Sequence, residues 1–529
     1  MNRFRTFSFP VRFTGEPLPK QAGFFWDRVQ ERYIKMIGEA GTVVSCQKKS
    51  DLPAEGFELT VAADEIVLAF GDAAGARNGL AVLFDGIFRR GNGYVCRTGT
   101  YRESPKSSFR CVLLDMARKY LEPDEVRANL LQMARAKMNY VIFHLLDSAH
   151  YALETAACPV LNGKSGMRQY TRESLQDLVD YAENLGIEVI PSIEAPAHSC
   201  FLLDCLPELG CQIPDGVEKT VWALCAGNPA VTELFRALVA ELTEIFRGKY
   251  VMIPGDELEF LDLKGQYSYW VNWKDCSVCR SYCEENGIHG KRELYYDFMR
   301  RMNDIVRSFG KTMIMGNDNI DIAKPVDLPR DILILWWRVA HPGRGPYKGI
   351  SMKRFLEAGF KVFNGRYQDT YIDLYISDEN FEKWTPFVRP RVEKRLRDGM
   401  IGGCMFAWEG HRHFDWTVPP GICMMGRKLW DHSTKNRMAS VAYRTELTHL
   451  VLGPECPEDL DLFSLLGGCF LPQDEDSARR GYPEKVSAQQ AKQIPAAIGQ
   501  LQKSDAAFLP LKQVYTDCLV WMAEQKQGR

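Results

Sequence analysis

The sequence lacks a long apolar run, an excess of charge of either sign and an internal repeat. No stretch holds the ~18 uncharged apolar residues of a membrane span. The formal net charge is -2, from 66 Lys and Arg against 68 Asp and Glu, so no broad basic surface predicts binding to nucleic acid. The absence of a repeat excludes a solenoid. The sequence therefore indicates a globular protein whose partner is a small, neutral or weakly charged molecule.

The first residues also lack the apolar core of a secretory signal. Residues 1–15 are interrupted by Arg3, Arg5 and Arg12, and a signal peptide needs a continuous apolar segment there. The chain has 16 cysteines. In a large chain without an export signal, such cysteines are typical of reduced thiols rather than of disulfides. The sequence therefore predicts a cytoplasmic protein.

What the sequence does contain is an alternation of apolar runs with amphipathic segments. Residues 1–106 hold short strand-like runs and one helix-like stretch, which predicts a small α+β domain. From Phe109 onward, eight apolar runs are separated by helix-like segments, a pattern typical of parallel strands covered by helices. The runs lie at 109–115, 139–146, 187–193, 249–254, 311–316, 331–337, 360–365 and 401–408.

Eight such runs predict an α/β fold, a (β/α)8 TIM barrel over residues 107–425. The alternative is an open doubly wound sheet, which usually carries a glycine-rich loop after its first strand. Here the first run is followed by Asp115-Met116-Ala117-Arg118, without glycine. Strand-like runs stop after about residue 425, so residues 426–529 are predicted to form a helical C-terminal region.

Polar residues follow the predicted strands, where the loops of a TIM barrel build its active face. The most informative group is Gly255-Asp256-Glu257, after the fourth run. Two adjacent carboxylates at the end of a buried strand repel each other and are costly to desolvate without a use. A charged Asp256 is expected to raise the pKa of Glu257, which suits a general acid.

Sugar hydrolysis is the reaction that most often uses such an acid. A carboxylate nucleophile would have to oppose the acid across the sugar at about 5–5.5 Å. Neighbouring residues such as Asp256 and Glu257 cannot readily take those positions. Another group must attack the anomeric carbon, and the substrate itself is one candidate.

An ordered set of motifs resembles glycoside hydrolase family 20, the β-N-acetylhexosaminidases. Each motif alone is weak, and their order along the chain carries the resemblance. A segment at 55–83 also resembles the small domain that precedes this family's barrel. The motifs are LLDMARKYLEP (113–123), FHLLD (143–147), IEVIPSIEAPAH (187–198), VMIPGDELEF (251–260), YIDLY (371–375) and AWEGH (407–411).

The resemblance implies an exo-acting, retaining hydrolase of terminal β-linked GlcNAc or GalNAc on an oligosaccharide or glycoconjugate. The sugar's own acetamido oxygen would attack through an oxazolinium intermediate, without any cofactor. Glu257 would protonate the leaving oxygen, Asp256 would hold the acetamido N–H, and Tyr371 would fix the acetamido oxygen. The other implied residues are Arg118, Asp373 and Glu409 on sugar hydroxyls, Trp336, Trp337 or Trp408 as apolar walls, and Asp147 and His198 acting through Glu257.

Three other functions remain open from the sequence. One is a glycosidase of the same mechanism that acts on a sulfated or galacto-configured amino sugar. Another is a non-catalytic sugar-binding barrel, although an unaltered Asp-Glu pair with Tyr371 argues against it. The third is a metal-dependent barrel lyase whose ligands would be the acids after strands three, four and five.

Three cysteines after the fourth run have the spacing Cys276-x2-Cys279-x3-Cys283, with His289 nearby. Three thiolates and an imidazole suit a tetrahedral zinc ion. A structural zinc usually draws two ligand pairs from separate segments, however. We therefore favour reduced thiols on one helical face and keep a structural zinc as the alternative.

Overall fold

The computed structural model describes most of the chain up to residue 463. Asp373 and Glu409, two of the predicted sugar ligands, lie outside the described residues. The described residues are 3–35, 38, 41–261, 267–269, 271–338, 352–366, 370–371, 398–408, 414–432, 440–457, 459–463, 494–496, 498–499, 516 and 520.

Two small sheets and two helices form the first hundred residues. The strands are β1 (Phe4–Phe7), β2 (Arg12–Gly15), β3 (Val43–Lys48), β4 (Phe57–Val61), β5 (Ile66–Phe70), β6 (Ile87–Arg90), β7 (Gly93–Arg97) and β8 (Gly99–Glu103), and the helices are α1 (Lys20–Tyr33) and α2 (Ala73–Asp85). One sheet has the mixed order β2-β3-β5-β4-β8, and the other is the antiparallel β1-β7-β6. Buried and half-buried residues alternate along β4, as expected of a strand with one face on the core. The α+β prediction for this region is confirmed.

Eight parallel strands then close into a barrel. The further strands are β9 (Phe109–Asp115), β10 (Tyr140–Asp147), β11 (His150–Tyr151), β12 (Glu188–Ile193), β13 (Tyr250–Met252), β14 (Glu259–Leu261), β15 (Tyr267–Tyr269), β16 (Thr312–Gly316), β17 (Leu333–Trp336), β18 (Lys361–Asn364) and β19 (Met400–Ala407). The order β10-β12-β13-β16-β17-β18-β19-β9 closes because β9 also pairs with β10. Each barrel strand overlaps one of the eight apolar runs, so the TIM-barrel prediction is confirmed.

Helices cover the barrel and follow it. They are α3 (Pro123–Arg135), α4 (Arg172–Asn184), α5 (Cys200–Cys205), α6 (Pro229–Ile245), α7 (Ser277–Asn286), α8 (Lys291–Ser308), α9 (Met352–Glu357), α10 (Phe414–Asp431) and α11 (Val441–Leu452). The residue 425 boundary falls inside α10. Thr171 caps α4 by accepting a hydrogen bond from the Ser174 N–H at 3.2 Å, which satisfies one free donor of the first turn. Within the described residues, every helix is too short or too polar to cross a bilayer.

Alternation along the strands decides which side chains face the barrel interior. On β9, Phe109, Cys111 and Leu113 belong to the interior apolar cluster. Since side chains point to opposite faces in turn, Asp115 at the end of this strand faces the upper opening. The same alternation on the other strands brings polar side chains to this carboxyl-terminal rim.

Buried ion pairs join the N-terminal domain to the lower end of the barrel. Arg110, near the start of β9, is fully buried and pairs with Glu55. Its guanidinium also donates to the carbonyls of Ser107 and Lys137, at 2.8 and 2.7 Å. The charge of Arg110 is therefore compensated by an acid and by carbonyl oxygens, which buried charges require.

Candidate active site

His198 lies between carboxylates at the upper end of the barrel. Its Nδ1 is 3.3 Å from Asp147 Oδ1, and its Nε2 is 3.2 Å from Glu257 Oε2 and 4.0 Å from Asp256 Oδ1. Burial disfavours the imidazolium, but the charge of Asp256 and the contacts with Asp147 and Glu257 raise the pKa of His198 well above its ordinary value. The imidazole is therefore protonated at neutral pH.

Asp147 supports His198 from the side opposite Glu257. Its Oδ2 lies 2.8 Å from His144 Nε2 and 2.7 Å from Arg118 Nη2. Burial would raise the pKa of Asp147, but hydrogen bonds from His144 and His198 and the charge of Arg118 lower it well below the ordinary value. Asp147 therefore stays ionised and stabilises the charged form of His198.

Glu257 corrects one expectation from the sequence. Asp256 was expected to raise the pKa of Glu257. Burial does act to raise it, but the contact with His198 and the charges of His198, Arg338 and Arg118 lower the pKa of Glu257 below its ordinary value. The expectation was wrong in this arrangement because it left out the imidazolium, and the proton that an acid catalyst needs resides on His198.

Asp256 lies beside a second buried carboxyl group, that of Glu194. Ile190 on β12 faces the barrel interior, and the alternation places Glu194 on the same side. Burial and the charge of Asp256 raise the pKa of Glu194 well above its ordinary value, and the two carboxyl groups share a hydrogen bond. The raised pKa of Glu194 favours its protonated form, which suits a hydrogen bond with Asp256. Among the described residues, Asp256 Oδ1 and Glu194 Oε1 have no hydrogen-bond partner.

Aromatic side chains form one wall of the site. The ring centroids of Trp337 and Trp408 are 6.1 Å apart, and that of Tyr371 is 6.2 Å from Trp408. The Arg118 guanidinium lies 5.5 Å from the Trp408 ring. Of the predicted residues, the structure thus brings Tyr371, Trp337, Trp408 and Arg118 together at the same rim.

Trp336 is not part of this wall. Leu335 and Trp337 belong to the cluster inside the barrel, whereas Trp336 packs in the apolar layer outside it. The cause is the alternation of side chains along β17. The structure therefore corrects the prediction that Trp336 could contact the sugar.

The sequence places Asp318 only among the possible metal ligands of the lyase alternative, and not among the predicted sugar-site residues. It hydrogen-bonds to the Trp337 indole and lies 3.4 Å from the Arg338 guanidinium. Burial, against the charge of Arg338, raises the pKa of Asp318 to about 7. Counting in steps of two from Ile314, which faces the interior, would have identified Asp318, and the same count from Ile190 gives Glu194.

Trp222 was also missed, and it contacts both His198 and Glu257. Its ring centroid is 4.4 Å from that of His198, and its Nε1 donates to the Glu257 carbonyl at 2.9 Å. His198 and Glu257 have φ angles of 52° and 47°, a left-handed conformation that costs energy in non-glycine residues. Trp222 helps to hold both in place. It lies between α5 and α6 in a segment without periodicity, so no sequence pattern points to it.

The structure places the predicted cysteines in a different cluster from the one expected from the sequence. Cys276 and Cys279 do lie together, but their neighbours are Cys211 and Cys225. Cys283 is half-buried and His289 is exposed. The predicted ligand set of Cys276, Cys279 and Cys283 with His289 is therefore wrong, because only Cys276, just before α7, and Cys279, in its first turn, face the segment before α6.

Comparisons with known proteins match the chain to one family. The model of glycosyl hydrolase family 20, catalytic domain, matches residues 108–395. A β-hexosaminidase of Porphyromonas gingivalis is 29% identical over 236 residues, covering 41% of this chain and 29% of that protein. The β-hexosaminidase subunit alpha of Mus musculus is 23% identical over 315 residues, covering 58% of this chain and 57% of that protein. The chain thus spans less than two thirds of both relatives.

A solved structure shows the same fold. The crystal structure of a GH20 exo β-N-acetylglucosaminidase from Vibrio harveyi, in complex with N-acetylglucosamine, superposes with a TM-score of 0.73 at 19% identity. The superposition covers 85% of this chain and 75% of that chain. The family model itself covers more than half of the chain. The chain therefore belongs to glycosyl hydrolase family 20.

Proposed function

We propose that the protein is an exo-acting, retaining β-N-acetylhexosaminidase that removes terminal β-linked GlcNAc or GalNAc from oligosaccharides or glycoconjugates. One observation carries the proposal. Asp256 and Glu257 lie beside the same nitrogen of His198, at 4.0 and 3.2 Å, so they do not oppose each other across a sugar ring. This placement favours an acid and a substrate-orienting carboxylate over an acid and a carboxylate nucleophile.

In this mechanism Glu257 donates a proton to the leaving glycosidic oxygen. Its side chain is 37% exposed, so a bound sugar reaches it. His198, whose Nε2 lies 3.2 Å from Glu257 Oε2, is the group placed to supply that proton to Glu257. After the aglycone leaves, Glu257 takes a proton from water, and the pair returns to its starting state.

Asp256 orients the nucleophile, which is the acetamido oxygen of the sugar. Its Oδ1 has no partner among the described residues, so it can accept the acetamido N–H and stabilise the positive oxazolinium. Glu194 shares a hydrogen bond with this carboxyl group and helps to orient it. A nucleophile already attached to the substrate supplies a proximity advantage of up to about 7–11 kcal/mol.

Hydrolysis of an aryl β-N-acetylglucosaminide by wild type and by Glu257→Gln tests the acid. We expect kcat to fall by about 10²–10⁴-fold, the usual contribution of general acid catalysis. Glu244→Gln is the matched control, because Glu244 is an exposed glutamate paired with Arg172. Equal rates above background would reject Glu257 as the acid, and no hydrolysis by wild type would support a barrel that only binds sugar.

A second comparison tests the nucleophile. The aryl β-glucoside has a hydroxyl group where the amino sugar has its acetamide, and we expect it to be turned over far more slowly. An equal rate for both substrates would reject the substrate-assisted mechanism while leaving the hydrolase in place. Comparison of gluco, galacto and sulfated aryl substrates then defines which amino sugar the site prefers.

The metal-dependent lyase is less well supported by the site. Its ligands would be Glu194, Asp256 and Asp318. The raised pKa of Glu194 opposes the ionised form that a metal ligand needs. Asp318 is engaged by Trp337 and Arg338. Loss of activity on dialysis against a chelator, with recovery on adding a divalent cation, would revive this alternative.

We also propose that the protein works in the cytoplasm. The fourteen cysteines among the described residues are free thiols. Free thiols in this number are typical of a reducing compartment. Recovery of the protein with a periplasmic marker in cell fractionation would contradict this.

A further inference from the structure

Four cysteines meet beside the active site, outside the catalytic machinery. Cys211 and Cys225 lie in the segment between α5 and α6, and Cys276 and Cys279 lie at the start of α7. All four are buried, with exposed fractions of 0% for Cys225, Cys276 and Cys279 and 6% for Cys211. The fold therefore gathers four thiols from two distant parts of the sequence in one apolar place.

The spacing of the sulfur atoms fits a shared cation. All four lie within 4.8 Å of one another, with Cys225 at 3.6 Å from Cys276 and 3.4 Å from Cys279. A tetrahedral zinc ion with Zn–S bonds of about 2.3 Å needs sulfur atoms about 3.8 Å apart. A disulfide needs about 2.05 Å. The thiols are therefore too far apart to be bonded and close enough to hold one zinc ion.

We propose that Cys211, Cys225, Cys276 and Cys279 bind a structural zinc ion. The ligands come as two pairs, one from Cys276-x2-Cys279 on α7 and one from the segment before α6, as structural zinc sites usually have them. Four thiolates fill the tetrahedron, so no position is left for a reacting water. The ion would hold structure and take no part in the chemistry.

The structure that it would hold is the segment carrying Trp222. Trp222 lies between Cys211 and Cys225, so the ion would fix this segment at both of its ends. Hydrogen bonds run alongside the cluster: the Ser277 N–H donates to the Gln212 carbonyl at 2.9 Å. The segment is thereby tied to α7, and Trp222 is kept against His198 and Glu257.

Metal analysis of the purified full-length protein tests the proposal. We expect one zinc ion per chain after expression in zinc-containing medium, and a large loss of bound zinc in Cys225→Ser. The control is Cys283→Ser, since Cys283 is on α7 but outside the cluster, and it should keep its zinc. Wild type with zinc well below one equivalent, or with an intact mass showing a disulfide within the cluster, would overturn the proposal.

A spectroscopic measurement covers the case in which Cys225→Ser fails to fold. Wild type expressed with cobalt should show the absorption of tetrahedral Co²⁺ and thiolate-to-cobalt charge transfer, since Co²⁺ takes the same ligands. Absence of both signals in a folded, cobalt-exposed protein would overturn the site.

The expected loss of activity on zinc release rests on the proposed function, whereas the expected zinc content does not. Release of zinc with a mercurial thiol reagent should lower kcat on the aryl substrate, because Trp222 would lose its support. A protein with stoichiometric zinc and no hydrolase activity would reject the proposed function and leave the zinc site standing. An active hydrolase without zinc would reject the zinc site and leave the proposed function standing.

Discussion

Buried charged groups are arranged differently at the two ends of the barrel. At the lower end, Arg110 pairs with Glu55, and Arg135 lies 2.8 Å from Asp85. At the upper end, acids gather beside acids: Glu194 shares a hydrogen bond with Asp256, and burial raises the pKa of both and of Asp318. The lower end is arranged for stability, whereas the upper end, beside the ion pair of Asp147 with Arg118, also keeps acids next to acids.

The difference is explained by what each end does. A TIM barrel has its chemistry at the carboxyl ends of the strands and its structural contacts at the other. Unsatisfied acceptors such as Asp256 Oδ1 are costly in the free protein. A substrate that supplies the missing donor would relieve that cost. Substitutions at the two ends should therefore separate stability from activity.

The largest expected effect is on stability, from Arg110→Met at the lower end. Removing this fully buried cation leaves two backbone carbonyls without the Arg110 donor and, among the described residues, leaves Glu55 with only the Asn139 amide at 3.3 Å. We expect a loss of about 3–5 kcal/mol in the free energy of unfolding, measured by urea denaturation, with kcat of the folded fraction unchanged. The control Arg102→Met breaks an exposed pair with Glu58 and should cost less than about 1 kcal/mol. Equal losses would show that the lower pairs are not structural.

Asp256→Asn at the upper end should lower activity and leave stability unchanged, the opposite of Arg110→Met. The amide is close in shape to the carboxylate but cannot stabilise a developing positive charge. We expect kcat on the aryl N-acetylglucosaminide to fall by about 10²–10³-fold, with no loss of thermal stability, because repulsion within the acidic group is relieved. Asp215→Asn, at an exposed position, is the control for both measurements. An Asp256→Asn variant that is destabilised but fully active would show that Asp256 serves stability rather than catalysis.

The barrel and part of its site could be predicted because they depend on local patterns. Eight apolar runs define the strands, and residues just after them reach the upper rim. The strict alternation of a strand could have been carried further, since it separates Trp337 from Trp336 and identifies Glu194 and Asp318 as facing the interior. The sequence could therefore have predicted these residues from the alternation of side chains along each strand, in addition to their position after it.

Other features depend on tertiary contacts that no local pattern encodes. The segment between α5 and α6 has no periodicity, so neither the contact of Trp222 with Glu257 nor the meeting of Cys211 and Cys225 with α7 could be read from it. The prediction that the pKa of Glu257 would be raised was wrong for the same reason. The sequence showed the adjacent Asp256, while the dominant charge comes from His198 on the loop after another strand.

A pH-dependent effect should follow from Asp318. Its folded pKa of about 7 is above the ordinary 3.8, so its contribution to stability is present below about pH 4 and is lost as pH rises through 7. Asp318→Asn should therefore gain stability relative to wild type over that range, by roughly 1–4 kcal/mol at about 1.4 kcal/mol per pKa unit. Urea midpoints at acidic and neutral pH measure this. A stability difference independent of pH would show that folding does not shift the pKa of Asp318.

The smallest effect, and the sharpest test of how the upper end is held, is expected from Trp222→Phe. The substitution keeps an aromatic ring beside His198 but removes the indole N–H that donates to the Glu257 carbonyl at 2.9 Å. A hydrogen bond of this kind contributes about 1 kcal/mol, so we expect kcat to fall about fivefold as the strained backbone of Glu257 relaxes. Trp273→Phe is the matched control, since that indole donates to the Leu224 carbonyl, also at 2.9 Å, without touching Glu257. If both variants lose stability but only Trp222→Phe loses kcat, the left-handed conformation of Glu257 is part of the catalytic arrangement; equal losses of kcat would assign the effect to the segment as a whole.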